Sequence, residues 1–419
     1  MKYRMDEITE SCLGKMLDAK KNKGEYQPYL ANINVRWGSF DLEKLSLMRF
    51  EKDEEERYGI KYGDLIMCEG GEPGRCAIWR DELPNMKIQK ALHRIRPNTE
   101  LVDVEYLYYW FLLSGRNDLL RRHFTETTIK HLPGETLKQL VIDLPDMKTQ
   151  KGISSVLRVI DKKITVNEHI NDNLEQQAKL LYDYWFTQFD FPDESGKPYR
   201  SSGGKMVWNE QLKMEIPFSW VCSKMENAIE AVRTGLNPRN NFKLGNGNIQ
   251  YITVKNLCLN GSLDFSGCDT IDEQARQIIH RRSDIQIDDI LFASIAPLGR
   301  CYLIQENPTN WDINESVFSI RYNSSVLTAE YLYMNLQSEA FVKRATACST
   351  GSIFKGIRIN SLMDSEIILP PLSVTKEFSK EIKPLFALQK KLDRETHTLI
   401  QLRDWLLPVL MNGQATISD

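Results

Sequence analysis

The amino-acid sequence predicts an α+β protein in which two β-rich domains are joined by two long antiparallel coiled-coil helices, the halves forming a pseudo-two-fold internal repeat. Three observations lead to this prediction. Residues of the first half recur at a constant spacing in the second half, short β-branched and aromatic runs alternate with turn residues in each repeat, and a heptad pattern follows each time. A chain of 419 residues is also too long for one ordinary core, so two domains are expected.

The duplication is visible as identical residues that lie 225 positions apart. The run Glu105–Tyr108 (EYLY) recurs as Glu330–Tyr333, and Lys130 matches Lys355. Further pairs at this offset are Asp64 with Asp289, Gly74 with Gly299, Arg75 with Arg300, Cys76 with Cys301 and Arg96 with Arg321. Upstream, the offset is 222, and it pairs Tyr29 with Tyr251 and Asn34 with Asn256. Chance does not hold one offset over so many matches, so both halves are expected to fold alike.

The first part of each repeat predicts short strands. The segments Gly63–Trp79 and Asp289–Ile304 each consist of two apolar runs separated by Gly and Pro residues, which indicates two strands around a turn. A helix is expected at each EYLY segment.

The second part of each repeat predicts a long helix, because its apolar positions recur at alternating spacings of 4 and 3 residues. The first seam comprises Ile153, Leu157, Ile160, Ile164, Asn167, Asn171, Leu174, Ala178, Leu181 and Trp185. The second, more polar seam comprises Phe378, Ile382, Leu385, Gln389, Leu392, Thr396, Leu399, Arg403, Leu406 and Leu410. We expect the two helices to pair with each other; the alternative is that each packs only on its own domain. Asn167 and Asn171 are expected to fix the register, and Pro384 to kink or restart the second helix.

Five segments follow from these patterns. Two β-rich domains are expected at residues 1–146 and 221–371, and two helical spacers at 147–188 and 372–414. Residues 189–220 begin with FDFPDESGKPYRSSGGK, which is rich in Gly, Ser, Pro and charge, and are expected to form a linker.

Composition excludes several classes of protein. No apolar run is long enough to span a bilayer, and the N-terminal MKYRMDEITE does not resemble a signal peptide. The eight cysteines are scattered without a CxxC pair, which favours reduced thiols, a cytoplasmic location and no zinc site. The net charge of −3 does not by itself indicate a nucleic-acid-binding protein, so any DNA-binding cations must be concentrated on one face.

Motifs of catalysis are also missing. The six histidines form no HExxH pattern, and no GxxxxGK[ST] loop for ATP occurs. The sequence contains neither an Asn-Pro-Pro-aromatic nor an Asp-Pro-Pro-aromatic tetrapeptide, so it has no motif for methyl transfer to an amino group. We therefore expect no catalytic residue, no metal ligand and no cofactor in this chain.

Four segments resemble the specificity subunit of type I restriction–modification systems. They are residues 189–220, LPDMKTQKGISSVLRVIDKKI at 144–164, LPPLSVTKEFSKEI at 369–382, and LRDWLLPVLMNGQ at 402–414. The resemblance covers essentially the whole chain. It implies two target-recognition domains, each binding one half of a bipartite, asymmetric site in double-stranded DNA.

The resemblance also implies partners. The two helices would set the half-site spacing and recruit two methyltransferase subunits that carry S-adenosylmethionine, while restriction subunits would supply ATP- and Mg-dependent translocation and cleavage. No membrane partner is implied. In one departure, no counterpart of Trp208–Val221 precedes the first domain, which predicts a shortened first domain.

Candidate DNA contacts are basic and small hydroxyl residues, because Lys and Arg bind phosphates and hydroxyl groups bind phosphates or base edges. Lys130 and Lys355 are favoured because they occupy the same place in both repeats. The full set is Lys20, Lys21, Lys130, Lys255, Ser349, Thr350, Ser352, Lys355 and Arg358. The residues leave two alternatives open: a two-domain coiled-coil adaptor without DNA specificity, and an enzyme with duplicated β-rich domains such as a hydrolase.

Overall fold

The computed structural model describes residues 1–18, 22–126, 130–347 and 356–415. Its contacts divide the chain into two units. Unit 1 comprises Met1–Val166 and Thr396–Asp419, and unit 2 comprises Asn167–Glu395. Each unit therefore contains one β-rich domain and a part of both long helices.

Unit 1 is built on a four-stranded antiparallel sheet in the order β2-β8-β5-β6 and a three-stranded sheet in the order β4-β3-β7. In the smaller sheet, β3 pairs antiparallel with β4 and parallel with β7. The strands are β1 (Lys2–Arg4), β2 (Thr9–Leu13), β3 (Glu25–Leu30), β4 (Ser46–Phe50), β5 (Leu65–Cys68), β6 (Cys76–Ile78), β7 (Lys87–Ile88), β8 (Leu92–Pro97), β9 (Thr125–Glu126), β10 (Lys130–His131) and β11 (Val141–Asp143). The helices are α1 (Met5–Ile8), α2 (Glu55–Tyr58), α3 (Val104–Arg116), α4 (Gly134–Gln139) and the first part of α5 (Met147–Tyr182).

Unit 2 repeats this plan. Its four-stranded sheet has the order β15-β21-β18-β19, and its three-stranded sheet, β17-β16-β20, again has one antiparallel and one parallel pairing. The strands are β12 (Met206–Asn209), β13 (Met214–Pro217), β14 (Val221–Lys224), β15 (Ile229–Thr234), β16 (Ile249–Ile252), β17 (Asp269–Ile271), β18 (Ile290–Ala293), β19 (Cys301–Leu303), β20 (Trp311–Ile313), β21 (Val317–Tyr322) and β22 (Glu366–Leu369). The helices are α6 (Glu273–Ser283), α7 (Ala329–Gln337), α8 (Glu339–Ala347), α9 (Ile359–Met363) and α10 (Leu372–Met411), which ends in unit 1. The structure contains the two expected strand pairs around a turn, β5-β6 and β18-β19. It also contains the two expected EYLY helices, α3 and α7.

The recurring charged residues form the same ion pair in each unit. Arg96 donates from Nε and Nη2 to the two oxygens of the buried Asp64, both at 2.7 Å. Arg321 makes the same two bonds to the buried Asp289, at 2.9 and 2.8 Å. The Asp64 carboxylate raises the pKa of Arg96 through this hydrogen bonding. An unpaired buried carboxylate costs several kcal/mol, so both members of the pair are retained for stability.

Two other recurring positions have structural roles as well. Asn34 accepts a hydrogen bond from the Ala31 amide at 2.9 Å, and Asn256 accepts one from the Thr253 amide at 2.9 Å, so each caps a short 3₁₀ turn. The last tyrosine of each EYLY run places its hydroxyl against a glycine, so that a Cβ on this glycine would clash with the hydroxyl. The glycine also has a φ of +77°, which other residues rarely adopt. This pair is Tyr108 with Gly38 in unit 1 and Tyr333 with Gly261 in unit 2.

Within unit 1, α5 and α10 pack antiparallel. Ile153 and Leu157 near the beginning of α5 share a hydrophobic core with Leu407 and Leu410 near the end of α10. Further along α5, Asp161 accepts a 2.9 Å hydrogen bond from Arg403. Residue numbers thus rise on one helix as they fall on the other.

Unit 2 contains the other parts of the same two helices, and their packing is also antiparallel. Asn167 donates to Glu395 at 3.1 Å and Asn171 donates to Asp393 at 2.6 Å. Nearer the end of α5, Phe186 lies 4.9 Å from Phe378 between ring centroids. The expected antiparallel coiled-coil helices are therefore confirmed as part of the fold.

Side chains of the expected seam are all at least half-buried. The buried ones are Ile153, Leu157, Ile160, Ile164, Asn167, Leu174, Ala178, Trp185, Phe378, Ile382, Leu392 and Leu410. The half-buried ones are Asn171, Leu181, Leu385, Gln389, Thr396, Leu399, Arg403 and Leu406.

Three details differ from expectation. Helix α10 does not restart at Pro384 but continues from Leu372 to Met411; Pro384 is exposed, so water can hydrate the carbonyl that loses its partner, while the buried Ile382 and Phe386 hold the helix. The segment 189–220 is not a free linker, because it forms the β12-β13 hairpin and buries apolar side chains in the core of unit 2. The first domain is not shortened at its terminal sheet, since β1 pairs with β11 as β14 pairs with β22, although the described residues of unit 1 contain no counterpart of the β12-β13 hairpin.

Candidate DNA-binding surface

Three of the candidate DNA contacts lie in described segments, and all three are exposed. Lys130 begins β10, Lys255 lies in the 3₁₀ turn Val254–Asn256, and Arg358 is the N-cap of α9. The remaining candidates, Lys20, Lys21, Ser349, Thr350, Ser352 and Lys355, lie outside the described residues.

In unit 1, Lys130 lies where three segments meet. His131 forms a β-bridge with Gly70, in the turn between β5 and β6, and the Leu132 amide donates to the Glu69 carbonyl at 2.8 Å. Asn32 donates from Nδ2 to the Gly70 carbonyl at 2.6 Å. We call these segments, residues 32–34, 69–75 and 130–131, the turn surface of unit 1.

Unit 2 has an equivalent turn surface, formed by residues 254–256, 294–300 and 356–358. Gly356 forms a β-bridge with Ile295, and the Ile357 amide donates to the Ser294 carbonyl at 2.8 Å. The bridged residues of the two units, 70 with 131 and 295 with 356, differ by the repeat offset of 225. Lys255 and Arg358 thus lie on segments that belong to one surface.

The two turn surfaces differ in charge. In unit 1, Glu72 accepts hydrogen bonds from the Trp37 indole and the Arg75 guanidinium, both at 2.8 Å, so acidic and basic groups are mixed. In unit 2 the corresponding turn, SIAPLGR, contains Arg300 and no acid. Because phosphate binding requires cations, the turn surface of unit 2 is better suited to an anionic ligand.

A second basic feature of unit 2 was missed from the sequence. Helix α6 borders an open cavity of about 370 Å³, which we call the α6 pocket. Its lining residues are Arg233, Arg276, Gln277, His280, Arg281 and Asp284. The signal that could have revealed it is the run Glu273–Arg282 (EQARQIIHRR), which stands 225 positions after an acidic run containing Asp53–Glu56 (DEEE).

The described residues contain no group of three or more His, Cys, Asp or Glu side chains placed to hold a metal ion. None of the helices described is both long and apolar enough to cross a membrane.

Comparison with known proteins agrees with this architecture. A family model described as the type I restriction modification DNA specificity domain matches residues 1–176. The chain is 24% identical to the type I restriction enzyme MjaIX specificity subunit of Methanocaldococcus jannaschii over 362 residues, which cover 85% of this chain and 78% of that protein. It is 21% identical to the HindI specificity subunit of Haemophilus influenzae over 417 residues, covering 86% and 88%.

The fold is also similar to that of a solved structure. The S subunit of a type I restriction–modification system from M. genitalium matches with a TM-score of 0.57 and 16% identity, over 98% of this chain and 95% of that one. The family model covers the first repeat, and the relatives extend the match to both repeats. The chain is therefore similar over both repeats to type I restriction–modification DNA specificity subunits, and its first 176 residues match the family model.

Proposed function

We propose that this specificity subunit binds a bipartite, asymmetric site in double-stranded DNA, with each unit contacting one half-site. The observation that carries the proposal is that two units of the same strand order present different surfaces. The buried Asp–Arg pairs are the same in both units, whereas the turn surfaces differ in charge. Such a pair of scaffolds is suited to recognising two different short sequences, because base contacts are made by surface side chains and not by the core.

The long helices are proposed to set the gap between the half-sites and to recruit two methyltransferase subunits. Val159 and Leu180 on α5 and Trp405 on α10 are 68%, 68% and 64% exposed. A partner subunit that contacted these helices would remove such apolar side chains from water, which favours association. S-adenosylmethionine would then be bound by the methyltransferase subunits, and ATP and Mg by restriction subunits, while this chain contributes specificity and no catalytic group.

The experiment that tests this proposal exchanges residues 1–146 for the same segment of a relative. The methylated sequence is then determined in cells that also express the methyltransferase subunits. We expect one half of the methylated site to change and the other half to stay the same. A change in both halves would contradict independent recognition, and a purified complex that retains no DNA would favour the adaptor alternative.

A further inference from the structure

Helix α6 and strand β15 place three arginines around an open cavity in unit 2. We propose that the α6 pocket binds a backbone phosphate of the half-site contacted by unit 2, and that unit 1 lacks an equivalent contact. This inference rests on the proposed function, because it names a DNA contact within the unit 2 half-site.

The pocket has an excess of positive charge. Three arginines and one carboxylate, Asp284, line it, and Asp284 is already paired with Arg233 and with Arg321. Arg276 donates from Nη2 to the Pro308 carbonyl at 2.9 Å and lies 3.6 Å from Glu273. Arg281 is exposed and makes no ion pair or hydrogen bond with the part of the chain that the structure describes. Its guanidinium is therefore available to an external anion.

The helix that presents these residues is firmly held. Asp272 caps its N-terminus by accepting a 2.8 Å hydrogen bond from the Ala275 amide. On the inner face, Ser283 donates to the buried Asp312 at 2.6 Å, and His280 contacts the other oxygen of that carboxylate at 3.2 Å. Burial raises the pKa of Asp312, and the hydrogen bonds from Ser283 and the Ile313 amide oppose this rise. The outer residues Gln277 and Arg281 thus project from a rigid element, which lowers the entropy cost of binding.

Unit 1 has a pair at the positions of Asp312 and His280, with the basic and acidic residues exchanged. There the buried cation Lys87 lies 2.7 Å from Glu55, and these positions are 225 residues before Asp312 and His280. On the outer face of unit 1, the exposed acids Glu51 and Glu56 stand where unit 2 has Arg276 and Arg281. An acidic face repels phosphate, so the contact is assigned to unit 2 alone.

Arginine and glutamine can also recognise base edges, so a major-groove contact by α6 is the competing use of the same residues. The concave arrangement favours phosphate. Arg233 comes from β15, and Arg276 and Arg281 come from α6, yet all three border one cavity. Convergent cations suit a compact anion, whereas base recognition requires side chains that extend outward into a groove.

The test uses the full chain and two fluorescent duplexes, one with the methylated site found in cells and one without it. Binding is measured at several salt concentrations for the wild type, R281A, R281K and the matched unit 1 control E56A. We expect R281A to weaken binding to both duplexes by the same factor, roughly tenfold, as for one lost charge-assisted hydrogen bond. The salt slope should fall by about one.

Two variants serve as controls. R281K should keep the wild-type salt slope, and E56A should not weaken binding. Unchanged binding by R281A would overturn the proposal, and so would a loss confined to the site-containing duplex, since that result identifies a base contact. If the wild-type chain bound neither duplex, the proposed function itself would be wrong.

Discussion

Lengthening both helices at opposed positions is expected to widen the gap between the half-sites. Asn171 donates to Asp393 at 2.6 Å, so the bond after Asn171 in α5 and the bond before Asp393 in α10 face each other. Four residues inserted at each point keep the pairs Asn167 with Glu395 and Phe186 with Phe378 in register. The contact of the Gln389 amide with the Asn171 carbonyl is lost, and Lys390 and Arg394 can no longer both reach Glu306. The insertions therefore lengthen both helices at the cost of a few contacts around the insertion points.

The magnitude follows from helix geometry. Four residues add about 6 Å at a rise of 1.5 Å per residue. Since DNA rises about 3.4 Å per base pair, this length corresponds to roughly one to two base pairs. Four residues also exceed one turn by roughly 40°, and one base pair rotates the duplex by about 35°. The gap should therefore grow by one base pair or two, with lower affinity because the insertion disturbs the heptad seam as a stutter does.

The assay determines which DNA sequence is methylated in cells that carry the lengthened subunit and the methyltransferase subunits. The bases recognised at both ends should stay the same, since neither β-rich domain is altered. Insertion into α5 alone is the matched control, and it should abolish methylation because one set of native pairs must slip. An unchanged gap with methylation retained in the doubly lengthened protein would refute the proposal that helix length sets the spacing.

Asp289→Asn should lower the free energy of unfolding by about 2–3 kcal/mol, because Arg321 loses its buried carboxylate partner; urea denaturation measures this, and an unchanged midpoint would contradict a stabilising role. Burial lowers the pKa of His93, so stability should be retained above about pH 6.5, the pKa of an unfolded histidine, and fall as the pH drops through the folded value. H93Q should flatten this dependence between about pH 5 and 7.5, whereas an equal slope in both proteins would assign it to other groups. Burial also raises the pKa of the Cys76 and Cys301 thiols. Both should therefore react with iodoacetamide more slowly than the partly exposed Cys12, Cys222, Cys258 and Cys268. Mass spectrometry of the labelled peptides checks the order of reaction.

Much of the candidate DNA-binding surface could be located from the sequence only through the repeat. The pairing of Lys130 with Lys355 pointed to a surface at which His131 and Gly356 form equivalent β-bridges. Single cations elsewhere carried no such signal, since an exposed arginine has the same sequence pattern whether it binds DNA or water. Arg281 on α6 differs from the first repeat only in charge, and its importance depends on Arg233, which strand β15 brings to the same cavity.

The duplicated α+β architecture and the two long helices could both be predicted from the sequence. The architecture is visible as a repeat with an offset of 225 residues, and the helices are visible as apolar positions spaced by 4 and 3 residues. Both patterns depend only on the order of residues along the chain. Three features could be read only from the folded protein: residues 189–220 fold into unit 2, Pro384 remains inside α10, and the basic and acidic residues of the pair Lys87–Glu55 are exchanged in the pair His280–Asp312. Each of these outcomes depends on burial and on partners distant in the chain, which supply the free energy that local propensity opposes or leaves undecided.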